Sequence, residues 1–270
     1  MIDFAKFKAI STANRRRARG FTLTEAIMVI VITGILASMV AVFIQKPVQG
    51  FFDTARRAAL VDAADTALRR ISRDLREGLP NSVRVNVGAT ALEFLHVRFA
   101  GRYREQGPGD PLDFTSADAS FDVLGPPVSV QSGDSVVVYN LGVTGSNAYA
   151  GTSLTLAGPP FGAAVANVAI SPFKFPFASP ARRFQVVDTP ISYVCSGTQM
   201  RRYSGYAIAG TQPVPPAGSG ALISDKLSAC SFAFTAGPSE REALVTLSLS
   251  LTDSGETISL IYQVHVSNVP

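Results

Sequence analysis

Glu25 is the residue of this sequence that most needs a chemical explanation. It opens the run Ala26 to Ile44, which is apolar apart from Thr33, Gly34 and Ser38. A run of about 20 such residues matches a ~30 Å hydrocarbon core, so it reads as a membrane span. An ionised carboxylate just inside such a core costs at least ~2.5 kcal/mol unless a cation meets it. In the headgroup zone Glu25 would be idle; deeper, it needs a partner. Other chemically capable residues are few. His96 and His265 fall in predicted strands, with neither Cys/His metal spacing nor a Gly-rich phosphate loop nearby. Ser, His and Asp occur without a nucleophile turn. Asp110, Asp113, Asp118, Asp122 and Asp134 could offer oxygens to calcium, but their spacing is not that of an EF-hand loop, and solvated loop carboxylates are the plainer expectation. The expected chain is not an enzyme and has no cofactor or metal.

The flank of the span sets its orientation, because Lys and Arg are retained on the cytoplasmic side. Lys6, Lys8, Arg15, Arg16, Arg17 and Arg19 precede Gly20 against Asp3 alone. The N-terminus is therefore expected in the cytoplasm and the remaining chain outside. An ordinary secretory signal would be cut after its apolar region at small residues, which does not account for the Gly and Glu placed before this one.

The segment Arg19-Gly20-Phe21-Thr22-Leu23-Thr24-Glu25, followed by an apolar helix, resembles the class III signal of type IV pilins and pseudopilins. The resemblance implies that a dedicated membrane peptidase cuts after Gly20 and methylates Phe21 as the new N-terminus. It also implies that Glu25 meets the N-terminal amine of a neighbouring subunit during assembly. Residues 1–20 would then be a removed leader. They carry six of the Lys/Arg residues and one Asp, so the formal +4 of the whole chain falls to about −1 in the remainder. A generally basic nucleic-acid surface is not indicated, and no nucleic-acid partner is expected.

Elements able to position these residues follow from periodicity. Leu60, Ala64, Ala67, Leu68, Ile71, Leu75 and Leu79 fall on one helical face, with Arg56, Arg57, Asp62, Asp65, Arg69, Arg70, Arg73 and Asp74 on the others. The span and this amphipathic stretch predict one long helix over 21–79, membrane-spanning at 21–45 and stopped by Gly78 and Pro80. Such a helix is ~85–90 Å long, more than a compact domain can bury.

From Asn81 the pattern becomes short alternating segments between turn residues, predicting a β-rich domain over 80–270. Val83–Val87 and Leu92–Phe99 read as a hairpin around Gly88-Ala89-Thr90. Further strands are expected at 135–140, 184–187, 191–195, 199–203, 230–235, 243–251 and 257–266. Val245, Leu247, Leu249 and Leu251 alternate with Thr and Ser, the mark of a sheet with one covered face. The stretch 101–180, rich in Gly, Pro, Ala and Ser, reads as a variable insertion packed on the sheet. Alternatively its Pro172-Phe173-Lys174-Phe175-Pro176-Phe177 segment is an aromatic contact surface. Arg182-Arg183 and Arg201-Arg202 are expected to guard strand edges. Cys195 and Cys230, an isolated pair outside the cytoplasm, most simply form one disulfide, the alternative being two buried thiols.

The predicted fold class is thus α+β, a long N-terminal helix packed on an antiparallel sheet domain, which agrees with the type IV pilin-like layout. Within that family, segments 58–64, 68–76, 79–84 and 263–270 are most similar to the O-type minor pseudopilins of mannose-sensitive haemagglutinin pili. Their layout is similar to that of the J-type pseudopilins of type II secretion. The resemblance implies a minor subunit that initiates or caps a pilus, held in the inner membrane with its domain in the periplasm. Its implied partners are the prepilin peptidase, other minor pilins and a major pilin. A tip adhesin or DNA-capturing pilin is a further reading.

Overall fold

A computed structural model of the chain describes residues 20–236 and 242–270. Residues 1–19 of the expected leader lie outside them. Helix α1 spans Leu23–Arg76, and the chain divides into two units, 1–53 and 54–270. In the first unit the described helical residues are exposed apart from partly covered Ala26 and Asp53, as the apolar composition of the span requires of a segment made for lipid or other subunits. Pro47 lies inside the helix.

In the second unit the helix buries the predicted stripe: Leu60, Ala64, Ala67, Leu68, Ile71 and Leu75 are all at most 3% exposed. The helix ends at Arg76, three residues before the expected limit. The backbone there is claimed by the sheet, since Leu79 N–H donates to Leu95 O at 2.7 Å and Val97 N–H donates to Glu77 O at 2.9 Å. Gly78 permits this close turn, because a Cβ there would stand 3.2 Å from the Phe94 ring.

The strands follow in order: β1 Arg84–Val85, β2 Ala91–Tyr103, β3 Asp118–Leu124, β4 Val128–Ser129 and β5 Ser135–Val138. Then come β6 Leu154–Leu156, β7 Ala164–Val165, β8 Asn167–Phe173, β9 Arg183–Ser196 and β10 Gln199–Tyr203. The last are β11 Ala221–Ser224, β12 Leu227–Ala236, β13 Glu242–Asp253 and β14 Glu256–Ser267. A nine-stranded antiparallel sheet runs β11-β10-β9-β2-β3-β8, with β1 on β2, β5 on β9 and β6 on β5. A second sheet of three strands runs β12-β13-β14, and β4 pairs with β7.

The helix face shares one core with both larger sheets: Phe94, Ile191, Tyr193 and Met200 come from the first, and Phe232, Val245, Leu247, Leu249 and Leu251 from the second. The predicted hairpin is present, shortened to Arg84↔Glu93 and Val85↔Leu92. Two strands expected at 184–187 and 191–195 are one strand, β9. Pro190, which lacks an N–H and ordinarily interrupts a ladder, is accommodated because the β2–β9 register slips beside it, between Leu95 and Val97.

The stretch 101–180 is integral to the domain. Its Phe121, Val130, Val168 and Phe175 form a second core with Phe184 and Val186 of β9 and Val136 and Val138 of β5. Both faces of β9 are therefore covered, which is why Phe184 to Val187 shows no alternation. Phe175 is fully buried and Phe173 partly, edge to face at 5.0 Å, leaving Phe177 as the exposed ring of the proposed aromatic surface.

Candidate functional site

Gly20, Phe21 and Thr22 precede α1 and are exposed, with Phe21 71% accessible. A side chain added at Gly20 would meet nothing within 4 Å. Thr22 caps the helix: its Oγ1 accepts the Glu25 N–H at 3.3 Å and its carbonyl accepts the Ala26 N–H at 3.1 Å. Thr22 and Glu25 thus stand at the spacing of a capping box, a signal readable in the sequence but overlooked in reading Glu25 only as a buried charge. The capping bond uses the backbone of Glu25. Its carboxylate lies in the first helical turn, where the helix dipole favours an anion, and meets no basic group among the described residues. The site therefore presents an exposed glycine ahead of the helix and, five residues on, a carboxylate that meets no basic group among the described residues.

Cys195 at the end of β9 and Cys230 in β12 form a disulfide, Cα to Cα 6.4 Å, linking the large sheet to the small one. Phe232 N–H, donating to Ala89 O at 2.8 Å, ties the same two regions.

The five aspartates are engaged by protein partners, Asp118 and Asp122 within β3 and not in loops. Asp122 meets Arg104 at 3.0 Å and accepts the Asp110 N–H, and Asn167 joins Asp110 to Asp122. Hydroxyls of Ser116 and Thr115 hold the Asp113 carboxyl down at about 2. Asp134, almost fully buried, accepts from Gln131 N–H and pairs with Arg98 at 3.3 Å. Among the described residues no group of three His, Cys, Asp or Glu could hold a metal ion.

The arginine pairs also differ from expectation. Arg201 and Arg202 lie on β10, between β9 and β11, and not on an edge; Arg202 pairs with Asp74 of α1. Arg182 pairs with Glu105 at 2.7 Å. Two arrangements have no counterpart in the sequence reading. One is Glu93, fully buried, which accepts from Arg84 at 2.6 Å and from Ser192 and Tyr206 at 3.1 Å. The other is His96, with Nδ1 2.8 Å from Asp188 and Nε2 3.4 Å from Glu77. The Asp188 hydrogen bond raises the imidazole above its ordinary pKa against the opposing effect of burial.

The family model of the prokaryotic N-terminal methylation motif matches residues 15–41, covering the arginines from Arg15 to Arg19, Gly20, Phe21, Glu25 and most of the span. No curated protein and no solved structure gives a significant match to the chain. Among the described residues one helix, near the N-terminus, is long and apolar enough to cross a membrane. Motif, helix and antiparallel domain together fit a type IV pilin-like layout with a single-pass membrane anchor.

Proposed function

We propose that the chain is a minor pilin or pseudopilin that initiates or caps a type IV pilus of the mannose-sensitive haemagglutinin kind. Residues 1–20 are a leader cut between Gly20 and Phe21, and Phe21 becomes the methylated N-terminus. The observation that carries this reading is the methylation motif at residues 15–41, seated where an open glycine precedes a capped apolar helix. A peptidase that grips the chain at Gly20 needs a residue without a side chain, and a cut there retains the whole anchor. The basic flank keeps the N-terminus in the cytoplasm and the domain from 80 onward in the periplasm, where the Cys195–Cys230 bridge is chemically at home. Glu25 then meets the N-terminal amine of a neighbouring subunit.

Intact-mass measurement of chain extracted from membranes tests this. The expected species begins at N-methylated Phe21, and Gly20→Val leaves the chain uncut. A chain that starts elsewhere rejects the reading. The J-type role in type II secretion is distinguished by deletion, which would then abolish secretion of exported enzymes and spare pili.

A further inference from the structure

A groove of about 630 Å³ lies between the end of α1, β2, β9 and the last residues of β14. Its volume falls in the range of roughly 300–1,000 Å³ usual for ligand sites. Gln185 of β9 lines it, and the same face of the sheet continues through Ala100 and Arg183, since Ala100 pairs with Gln185 and Arg102 with Arg183. His265 to Val269 form the opposite wall.

Three features there are unexplained by the domain's own stability. Gln185 is 6% exposed, yet among the described residues its Oε1 has no hydrogen-bond partner, and a buried acceptor left unsatisfied is destabilising. Arg183 faces Arg102 directly across the β2–β9 ladder, a destabilising like-charge pair, and neither has an acidic partner among the described residues; Arg76 on the rim has none either. The rim's one carboxylate, Glu77, is engaged by His96. Finally, β14 pairs only with β13, so among the described residues its other edge carries no strand, and over its length it has neither Lys nor Pro to discourage one.

We propose that this groove docks an acidic segment of extended polypeptide from another protein subunit. A carboxamide offers one acceptor and two donors, the complement of a peptide unit, so a chain lying over Gln185 satisfies the orphaned Oε1 with a backbone N–H once the terminal amide turns that buried atom toward the groove. Carboxylates on that chain meet Arg76 and Arg183, with the field weakening as salt rises. The site is separate from the N-terminal segment, so binding does not depend on leader cleavage or on the pilus reading.

The test uses the full chain purified in detergent and fluorescence anisotropy with three labelled nine-residue peptides: alternating Glu and Thr, alternating Lys and Thr, and alternating Gln and Thr. The acidic peptide is expected to bind, the Gln peptide more weakly, and the Lys peptide not at all. Arg183→Glu should lower affinity for the acidic peptide by about tenfold through like-charge repulsion, while giving Arg102 a cross-strand partner and keeping the fold. Gln185→Leu should weaken all chain binding without lowering the melting temperature, because no hydrogen bond of the domain is lost. The proposal is overturned by absent acidic-peptide binding, by equal binding of the Lys peptide, or by unchanged affinity in both variants. Displacement of the peptide by an equal concentration of glutarate also overturns it, since the groove would then take a free carboxylate and not a chain.

Discussion

Asp74, in the last turns of α1, holds Arg202 of β10 at 2.6 Å, and the same carboxylate oxygen accepts the Tyr193 hydroxyl at 2.7 Å. Both ionic partners are about four-fifths covered, at 18% and 20% side-chain exposure. A single carboxylate thus fastens the helix to two adjacent strands of the large sheet. Burial, reinforced by the Asp74 bond, raises the Tyr193 hydroxyl's pKa, so it stays a donor at all ordinary pH.

Removal of that carboxylate leaves a guanidinium and a phenol without their acceptor. Asp74→Ala is expected to destabilise by about 2–4 kcal/mol, more than the paired charges contribute when both are present. Arg202→Leu alone should cost less, because Asp74 keeps the Tyr193 bond. Denaturant unfolding of the two single variants and the double variant checks this; additive effects would show that the pair is not coupled.

The difference between Arg202 as an edge guard and Arg202 as an anchor shows where the sequence is readable. Period alone identified the buried stripe from Leu60 to Leu75 and the alternation from Val245 to Leu251, because each is set by one covered face. It did not reveal that β10 is an interior strand, since strand order depends on partners far along the chain. It also split β9, because Phe184 to Val187 is covered on both faces and Pro190 sits at a register slip. In the candidate site, the motif that holds Gly20, Phe21 and Glu25 is legible because its pattern is local, and the family model matches it at residues 15–41. The Gln185 groove was not, for it joins residues from Arg76 to Val269 that only the fold brings together.

The disulfide closes a loop of 35 residues. In the chain-entropy account that constraint is worth ~3–4 kcal/mol. Cys195→Ala with Cys230→Ala should lower stability by this amount, measured as a lower unfolding midpoint with a steeper slope, because the unbridged denatured chain exposes more surface. Thiol labelling of the denatured, non-reduced chain should find no reactive cysteine.

His96 predicts a pH dependence. Asp188 and Glu77 face it on either side, Arg98 shares Asp188 at 3.2 Å, and Asp134 pairs with that Arg98. Because its folded pKa is raised, the stabilisation is complete below about 6.5 and is lost as pH rises through the folded value. The imidazole is a quarter exposed, so screening limits the effect to about 0.5–1 kcal/mol. His96→Gln should therefore destabilise at pH 5.5 and approach the unsubstituted chain by pH 8.5. Thermal unfolding across that range checks it, and an unchanged gap would assign the effect to packing.

Glu25 separates capping from assembly. The helix start depends on the Thr22 Oγ1 bond to the Glu25 backbone N–H, which survives truncation of the side chain. Glu25→Ala should therefore leave α1, membrane insertion and cleavage after Gly20 intact, whereas Thr22→Ala weakens the helix start by about 1 kcal/mol. What Glu25→Ala removes is a charge that costs several kcal/mol in lipid unless a cation meets it. In the proposed assembly the cation is the N-terminal amine of a neighbouring subunit. The expected outcome is a correctly processed chain that co-purifies less with other minor subunits and supports fewer pili, with Glu25→Gln equally impaired because charge, and not shape, is what the amine reads. Full assembly by both variants would place this chain first in the filament, where no preceding amine calls on its carboxylate, and loss of the chain from the membrane would assign Glu25 to insertion.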